Sequence, residues 1–256
     1  MIPFFRKIRY RFAEDGQFLK YSRYAIGEIM LVVVGILIAL QINNWNEERK
    51  SKIEEIQILE SIKLDFINVI EECRENNEFR KNILAATNEL YSVIKNGANG
   101  YSETQLDSIM AILFINPTYN NKTGTLDILF ASGKINSMTQ VEIKEALILW
   151  PEQIDDVMED EIYASETLRY EFYPFIRKYV SIQNVNKQIQ YKDLELFDRS
   201  IESNFKSDYD RMFDDIEFEG LLATRELTLS VSLLQTNDLI KTAEGIIEMI
   251  ESKIQS

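Results

Sequence analysis

Ile29 to Leu40 is an unbroken apolar run of 12 residues. Widened to Tyr24–Ile42 it covers 19 positions, of which only Glu28 and Gln41 are strongly polar. A helix of that length rises about 28 Å at about 1.5 Å per residue, close to a hydrocarbon core of about 30 Å. Residues 24–45 therefore read as a single membrane span. Two other readings compete. One is a buried globular helix, since 12 strictly apolar residues is short for a span. The other is a cleaved signal peptide, which the basic start suits, but no small-x-small site follows in Ala39-Leu40-Gln41-Ile42-Asn43. A lipoprotein signal would need a cysteine just after the run, and the single cysteine is Cys73.

Charge divides the chain at this run. Before Tyr24, six basic residues (Arg6, Lys7, Arg9, Arg11, Lys20 and Arg23) stand against Glu14 and Asp15, a balance of +4; with −14 for the whole chain, residues 24–256 carry −18. Positive flanks of a span stay on the cytoplasmic side. The expected topology is a cytoplasmic N-terminus at the inner membrane and a periplasmic C-terminal domain. Tyr21, Tyr24 and Trp45 suit the aromatic belts of the two interfaces. Ahead of Gly16, Phe4, Phe5, Ile8 and Phe12 share one helical face with the basic residues around it, and Pro3 is tolerated in a first turn, so residues 1–23 read as a basic amphipathic segment lying on the inner leaflet. Within the span, Gly27, Gly35 and Ala39 fall on one i, i+4 row, where small residues let a second span approach closely. Glu28 is an ionisable group inside a span, a functional position by default, although one turn from the cytoplasmic end it can also snorkel or pair with Arg23 or Lys20.

The remaining 210 or so residues can bury one sizeable core or two small ones. Nine glycines and four prolines are few, which favours long helices over turn-rich β-structure. The chain has no histidine, which removes the usual general base and the commonest metal ligand. One cysteine forms no internal disulfide. The acidic balance argues against nucleic acid as a partner. No catalytic constellation, metal ligand set or cofactor motif is visible.

Ile56, Leu59, Ile62, Phe66, Val69 and Cys73 recur at spacings of three and four, as a coiled-coil seam or one face of a bundle; the run is short for a heptad array, which favours the bundle. The pattern drifts at Asn76–Asn77. A second helical segment is predicted over Glu78–Lys95, with Phe79, Ile83, Leu84, Leu90, Tyr91 and Ile94 inward. After the loop Asn96–Gly100, Ser102-Glu-Thr-Gln105 matches a capping box, followed by Leu106, Ile109, Met110, Leu113 and Phe114. The Asn- and Thr-rich loop Asn116–Gly124 lacks EF-hand spacing. A short helix over Leu126–Ser132 should end at Gly133 in a left-handed cap. Thr139-Gln-Val-Glu142 reads as a second capping box, opening a helix to Trp150, and Pro151 as the first residue of a further helix to Tyr179, kinked at Pro174.

Asp155, Asp156, Glu159, Asp160 and Glu161 crowd five carboxylates into seven positions, read as a solvated face near a helix N-terminus rather than a cation site. Tyr163, Tyr170, Phe172, Tyr173, Phe175 and Tyr179 read as core. Residues 180–200 have no clear pattern. Ser207–Phe213 and Glu219–Ile254 read as helices separated near Gly220.

The blocks Phe5-Arg-Lys-Ile-Arg9, Tyr24-Ala-Ile-Gly-Glu28 and Gly35-Ile-Leu-Ile-Ala-Leu-Gln-Ile-Asn-Asn-Trp-Asn-Glu47 closely resemble a family of uncharacterised bacterial single-span membrane proteins. The match is specific over residues 4–50 and looser beyond, mainly at Ser132-Gly-Lys-Ile135 and Trp150-Pro151. The resemblance implies an envelope protein with a helical extracytoplasmic domain and supplies no activity or ligand.

The expected fold is all-α: a cytoplasmic segment (1–23), a transmembrane helix (24–45) and an extracytoplasmic helical bundle (46–256). The expected role is a membrane-anchored interaction domain, not an enzyme. Its partners are the lipid bilayer and a second copy of the chain or another membrane protein. The alternative is an extracytoplasmic small-ligand sensor signalling through a partner, because about 23 cytoplasmic residues hold no output domain.

Overall fold

With no proline between Pro3 and Pro117, nothing removes a helical N–H early in the chain. In the computed structural model, which describes residues 18–120, 123–189 and 203–255, the chain runs as one helix, α1, from Phe18 to Asn96. It ends where Gly97 turns left-handed at φ 83° and donates its N–H to the Val93 carbonyl at 2.8 Å. Asn76 and Asn77 therefore do not divide two helices. An asparagine unsettles a helix when its side chain competes for local backbone groups. Here both reach away, Asn76 to the Thr118 carbonyl and Asn77 to Asn237. Of the amphipathic segment predicted over residues 1–23, the part with Phe4, Phe5, Arg6, Lys7, Arg9 and Arg11 lies outside the described residues, and Phe18–Arg23 begin α1.

The chain forms two units, Met1–Gln57 and Ile58–Ser256. In the first, every large apolar side chain from Ile26 to Ile42 is exposed, between 44% and 76%. In the second, burial begins with Leu59, and the seam Leu59, Ile62, Phe66, Val69 and Cys73 is wholly covered; Ile56, assigned to that seam from spacing, belongs to the first unit and is exposed.

Beyond Gly97, Ser102 caps α2 (Glu103–Leu113) with the expected reciprocal box, its hydroxyl accepting from the Gln105 N–H and its own N–H donating to Gln105 Oε1 at 2.8 Å. α3 (Gly124–Ala131) ends near Gly133, left-handed at φ 70°, as expected, and leads into a 3-10 turn at Lys134–Ser137. α4 runs from Val141 to Thr167 without interruption, which corrects two expectations. Its N-cap is Gln140 rather than Thr139, and no side-chain cap bond forms there. Pro151 is interior, not an N-terminal residue: it faces solvent, while its neighbour Trp150 is pinned in the core against Phe66, centroids 4.5 Å apart and rings near perpendicular. That packing, with Ile154 and Val157 buried beyond it, holds the helix through a residue that would otherwise break it.

The irregularity expected at Pro174 falls one turn earlier. Leu168–Phe172 form a π-turn in which the Tyr173 N–H reaches back five residues to the Leu168 carbonyl. The wider turn relieves the clash between a proline ring and the carbonyl four residues back. α5 (Tyr173–Ile176) is short, and α6 (Ile182–Gln188) and α7 (Tyr209–Phe213) follow. α8 runs over Ile216–Ile254. The break before it is at Asp215, whose carboxylate accepts from the Glu217 N–H, and Gly220 lies inside the helix.

Cross-helix contacts fix the directions. Phe66 meets Trp150 and Arg80 meets Glu161, so α1 and α4 run the same way. Lys63–Glu251, Arg74–Glu244 and Asn77–Asn237 set α8 antiparallel to α1. No strand occurs among the described residues. One apolar core gathers α1 (Leu59–Cys73), the α3 region, α4 up to Val157 and the end of α8. A second gathers α1 from Ala86, α2, the π-turn, α5, α7 and the start of α8, with Phe114 stacked on Tyr173 at 4.5 Å.

In the second core the Tyr209 hydroxyl donates to Asp107 Oδ1 at 2.6 Å. Burial pushes the Asp107 carboxyl up, and this hydrogen bond pulls it partly back down. A carboxyl whose folded pKa lies above its unfolded value favours the fold below the unfolded value, and that contribution is lost as pH rises through the folded one. Tyr209→Phe removes the bond to the ionised form and raises the folded value further. The substitution should destabilise by about 1.5–3 kcal/mol at pH 7 and by less in acid, below the Asp107 titration. Urea unfolding at both pH values checks this; a larger loss in acid would contradict it.

Candidate functional site

Among the described residues, the positions singled out in the first unit are exposed or half-buried. Gly27, Gly35 and Ala39 lie exposed on α1, and a Cβ built on either glycine meets nothing within 4 Å. Glu28 is half-buried and is engaged within the chain. Arg23 and Trp45 are exposed, Trp45 at 64%; the side chain of Lys20 lies outside the described set. The structure places these residues on one helix.

The second unit holds an arrangement that sequence reasoning passed over. Each long helix has a buried seam at alternating spacings of three and four. On α4 and into the π-turn it reads Ile154, Val157, Glu161, Ala164, Leu168; on α8 it reads Leu222, Arg225, Leu229, Ser232, Thr236, Leu239, Ala243, Ile246, Ile250. On α1, Arg80 lies seven residues from both Cys73 and Thr87, all buried. The seams turn polar at the same level, between the two apolar cores. Arg80 Nη2 donates to Glu161 Oε1, and both side chains are within a few per cent of full burial. Arg80 Nη1 donates to Asn77 Oδ1 at 2.9 Å and lies 3.4 Å from the Thr236 hydroxyl, which is itself 2.7 Å from Asn77 Oδ1.

This belt grips the segment after α2. The Tyr119 N–H donates to Glu161 Oε2 at 2.7 Å, and the Asn120 N–H donates to Glu72 Oε1 at 2.8 Å. Asn76 donates to the Thr118 carbonyl at 3.0 Å, and Arg225 donates to the Ile115 carbonyl and to Asn116 Oδ1. Asp65 accepts from the Thr125 N–H at 2.8 Å, supplying the first turn of α3 with the acceptor that its own N-cap, Thr123, does not provide. Residues 115–120 thus form an irregular strap whose backbone groups at Ile115, Thr118, Tyr119 and Asn120 are met by side chains of α1, α4 and α8.

Burial opposes ionisation on both sides of the central pair: it pushes the Glu161 carboxyl up and the Arg80 guanidinium down, each against the pull of its partner. Burial likewise pushes the Cys73 thiol up to about 12, which leaves it protonated and weakly nucleophilic. Among the described residues no group of three or more Cys, Asp or Glu side chains is placed to hold a metal ion. Of the five crowded carboxylates, Asp155, Asp156 and Glu159 are exposed, as a solvated face should be, and Asp160 is half-buried against Gln235; Glu161 departs from that reading. Of the residues expected inward on α1, Phe79 is 49% exposed, and Tyr163 and Tyr170 are exposed on their own turns. A groove of about 660 Å³ between the start of α4 and the last turns of α8 is lined by Val141, Ile143 and Met249 among others, with Glu142, Glu248 and Lys253 beside them. No reactive set converges there.

The signal that could have found the belt is positional. Glu161 and Arg225 stand where the 3-4 spacing demands an apolar residue. Removing one member of a buried pair strands the other charge, at a cost of about 3–5 kcal/mol, whereas removing both is close to neutral. Arg80→Met and Glu161→Gln should each destabilise by that amount, and the double variant by much less than their sum. Chemical denaturation of the four proteins measures the cycle; additive losses would show that the two side chains do not act as a pair.

None of the curated proteins or solved structures compared with the chain matches it. A family model does, over residues 28–166, from the residue just before the apolar run of α1 to the penultimate residue of α4. That is more than half of the chain, which therefore belongs to this family of unknown function (DUF6090).

Proposed function

We propose that the protein is a membrane-anchored interaction protein of the cell envelope, held at the inner membrane by the start of α1 and presenting a helical domain outside the cytoplasm. The observation that carries this is the apolar helix itself. It is long and apolar enough to cross a membrane, with a mean hydropathy of 2.5 over 18 residues, none of them buried inside the chain. A core helix of a soluble protein would be covered. An isolated stripe of exposed leucine, isoleucine and valine this long is unfavourable in water and favourable in hydrocarbon. In this reading residues 24–45 are the span, 1–23 the cytoplasmic segment and 46–256 the extracytoplasmic part. The charge asymmetry, +4 before Tyr24 against −18 after, supports that orientation. The family match begins just before the apolar run and continues into the bundle, which fits a helix kept with its domain rather than removed.

Arg6, Lys7, Arg9, Arg11, Lys20 and Arg23 would meet the anionic inner leaflet and Trp45 the opposite interface. Gly27, Gly35 and Ala39, with open space at the glycine Cβ positions, would let a second copy or another membrane protein approach, with Glu28 at its inner end. The domain after the span supplies partner contact rather than chemistry.

The test is protease treatment of spheroplasts expressing the full chain with a C-terminal tag, with N-terminal sequencing of the untreated protein. The reading expects loss of the tag from intact spheroplasts and a chain starting at or near Met1. A protected tag would overturn the orientation, and a start near Gln41 would overturn the anchor.

A further inference from the structure

Four ionisable side chains of the belt are buried, and three of them meet opposite charge or, for a carboxylate, N–H donors: Arg80 has Glu161, Glu161 has Arg80 and the Tyr119 N–H, and Glu72 takes the Asn120 N–H and side-chain amide. Arg225 differs. It is 3% exposed, and among the described residues no carboxylate lies within ion-pair distance. Its acceptors are both neutral, the Ile115 carbonyl and Asn116 Oδ1 at 3.2 Å, and its buried Nε–H has no acceptor. Besides Tyr173, the charged neighbour that acts on it is another cation, Arg80, and burial with that neighbour pulls the guanidinium down to about 10. A buried guanidinium is retained at low cost when a carboxylate faces it and at high cost when none does. Its surroundings are also irregular. The π-turn Leu168–Phe172 delivers Tyr173 beside it, and Tyr173 stacks on Phe114, one residue before Ile115. π-turns inside α-helices recur at binding sites.

We propose that Arg225 is the recognition group of a small-carboxylate site at the junction of α2, the π-turn and α8, where a carboxylate exchanges with the Ile115 carbonyl and the Asn116 amide oxygen on the guanidinium. The fork geometry takes a carboxylate through two parallel N–H donors, and Nη1 and Nη2, which here meet only the two neutral oxygens, supply them. A single cation fits one negative charge. A phosphate dianion would need a second cation, and Arg80 is committed to Glu161. The inference concerns the bundle alone and does not depend on the membrane reading.

The test is thermal unfolding of the full chain in detergent, titrated separately with sodium acetate, sodium propionate, inorganic phosphate and, at matched ionic strength, sodium chloride. The expected result is a saturable rise of the midpoint with the carboxylates, absent with chloride and lost in Arg225→Gln. Asn116→Ala removes a competing neutral acceptor and keeps the cation, so it should shift the carboxylate titration several-fold to lower concentration. That variant decides the matter even if Arg225→Gln fails to fold. An equal rise with chloride, a rise that survives Arg225→Gln, a response to phosphate alone, or an Asn116→Ala titration unmoved or moved to higher concentration would each overturn the proposal.

Discussion

Arg80 and Glu161 meet where α1, α4 and α8 come together, and neither could be buried there without the other. Each ion forfeits several kcal/mol of hydration on leaving water. Burial moves both titrations toward the neutral forms, so the pair is not a source of stability in the ordinary sense. What it provides is registry. A charged residue on α4 must sit level with a charged residue on α1, and Asn77, Thr236 and Asn237 tie α8 to the same level. A buried polar group that fixes register is the best attested use of such groups in helical assemblies.

The strap after α2 follows from this. An irregular segment packed against a bundle needs partners for its backbone, because helices have none to spare along their length. Glu161 serves twice, holding Arg80 with one oxygen and the Tyr119 N–H with the other, while Glu72, Asn76, Asp65 and Arg225 hold the rest. The buried charges therefore separate two apolar cores and also determine where the chain crosses between them.

Much of the architecture was legible in the residues. The seam from Leu59 to Cys73, the Ser102 capping box, the apolar face of α2 and the left-handed turn at Gly133 depend on local rules, and local rules are what sequence patterns record. Other features were set by tertiary packing. Pro151 stays inside α4 because Trp150 is anchored on Phe66, a contact 84 positions away in sequence. Asn77 continues α1 because its side chain has a partner on α8. Phe79 is exposed because the seam passes through Arg80 instead, and a reading that seeks apolar residues steps over an arginine. Arg80, Glu161 and Arg225 are ordinary surface residues by type, and only their place in the 3-4 register marks them as interior.

The central claim is that buried carboxylates of α1 and α4 hold the strap in place, so the direct measurement is site-resolved amide hydrogen exchange at Tyr119 and Asn120. Bonded to Glu161 and Glu72, these two N–H groups should be protected to the level of the neighbouring helices, opening only with the unit as a whole. Exchange at the rate of a free loop, with the helices around it still protected, would contradict the account.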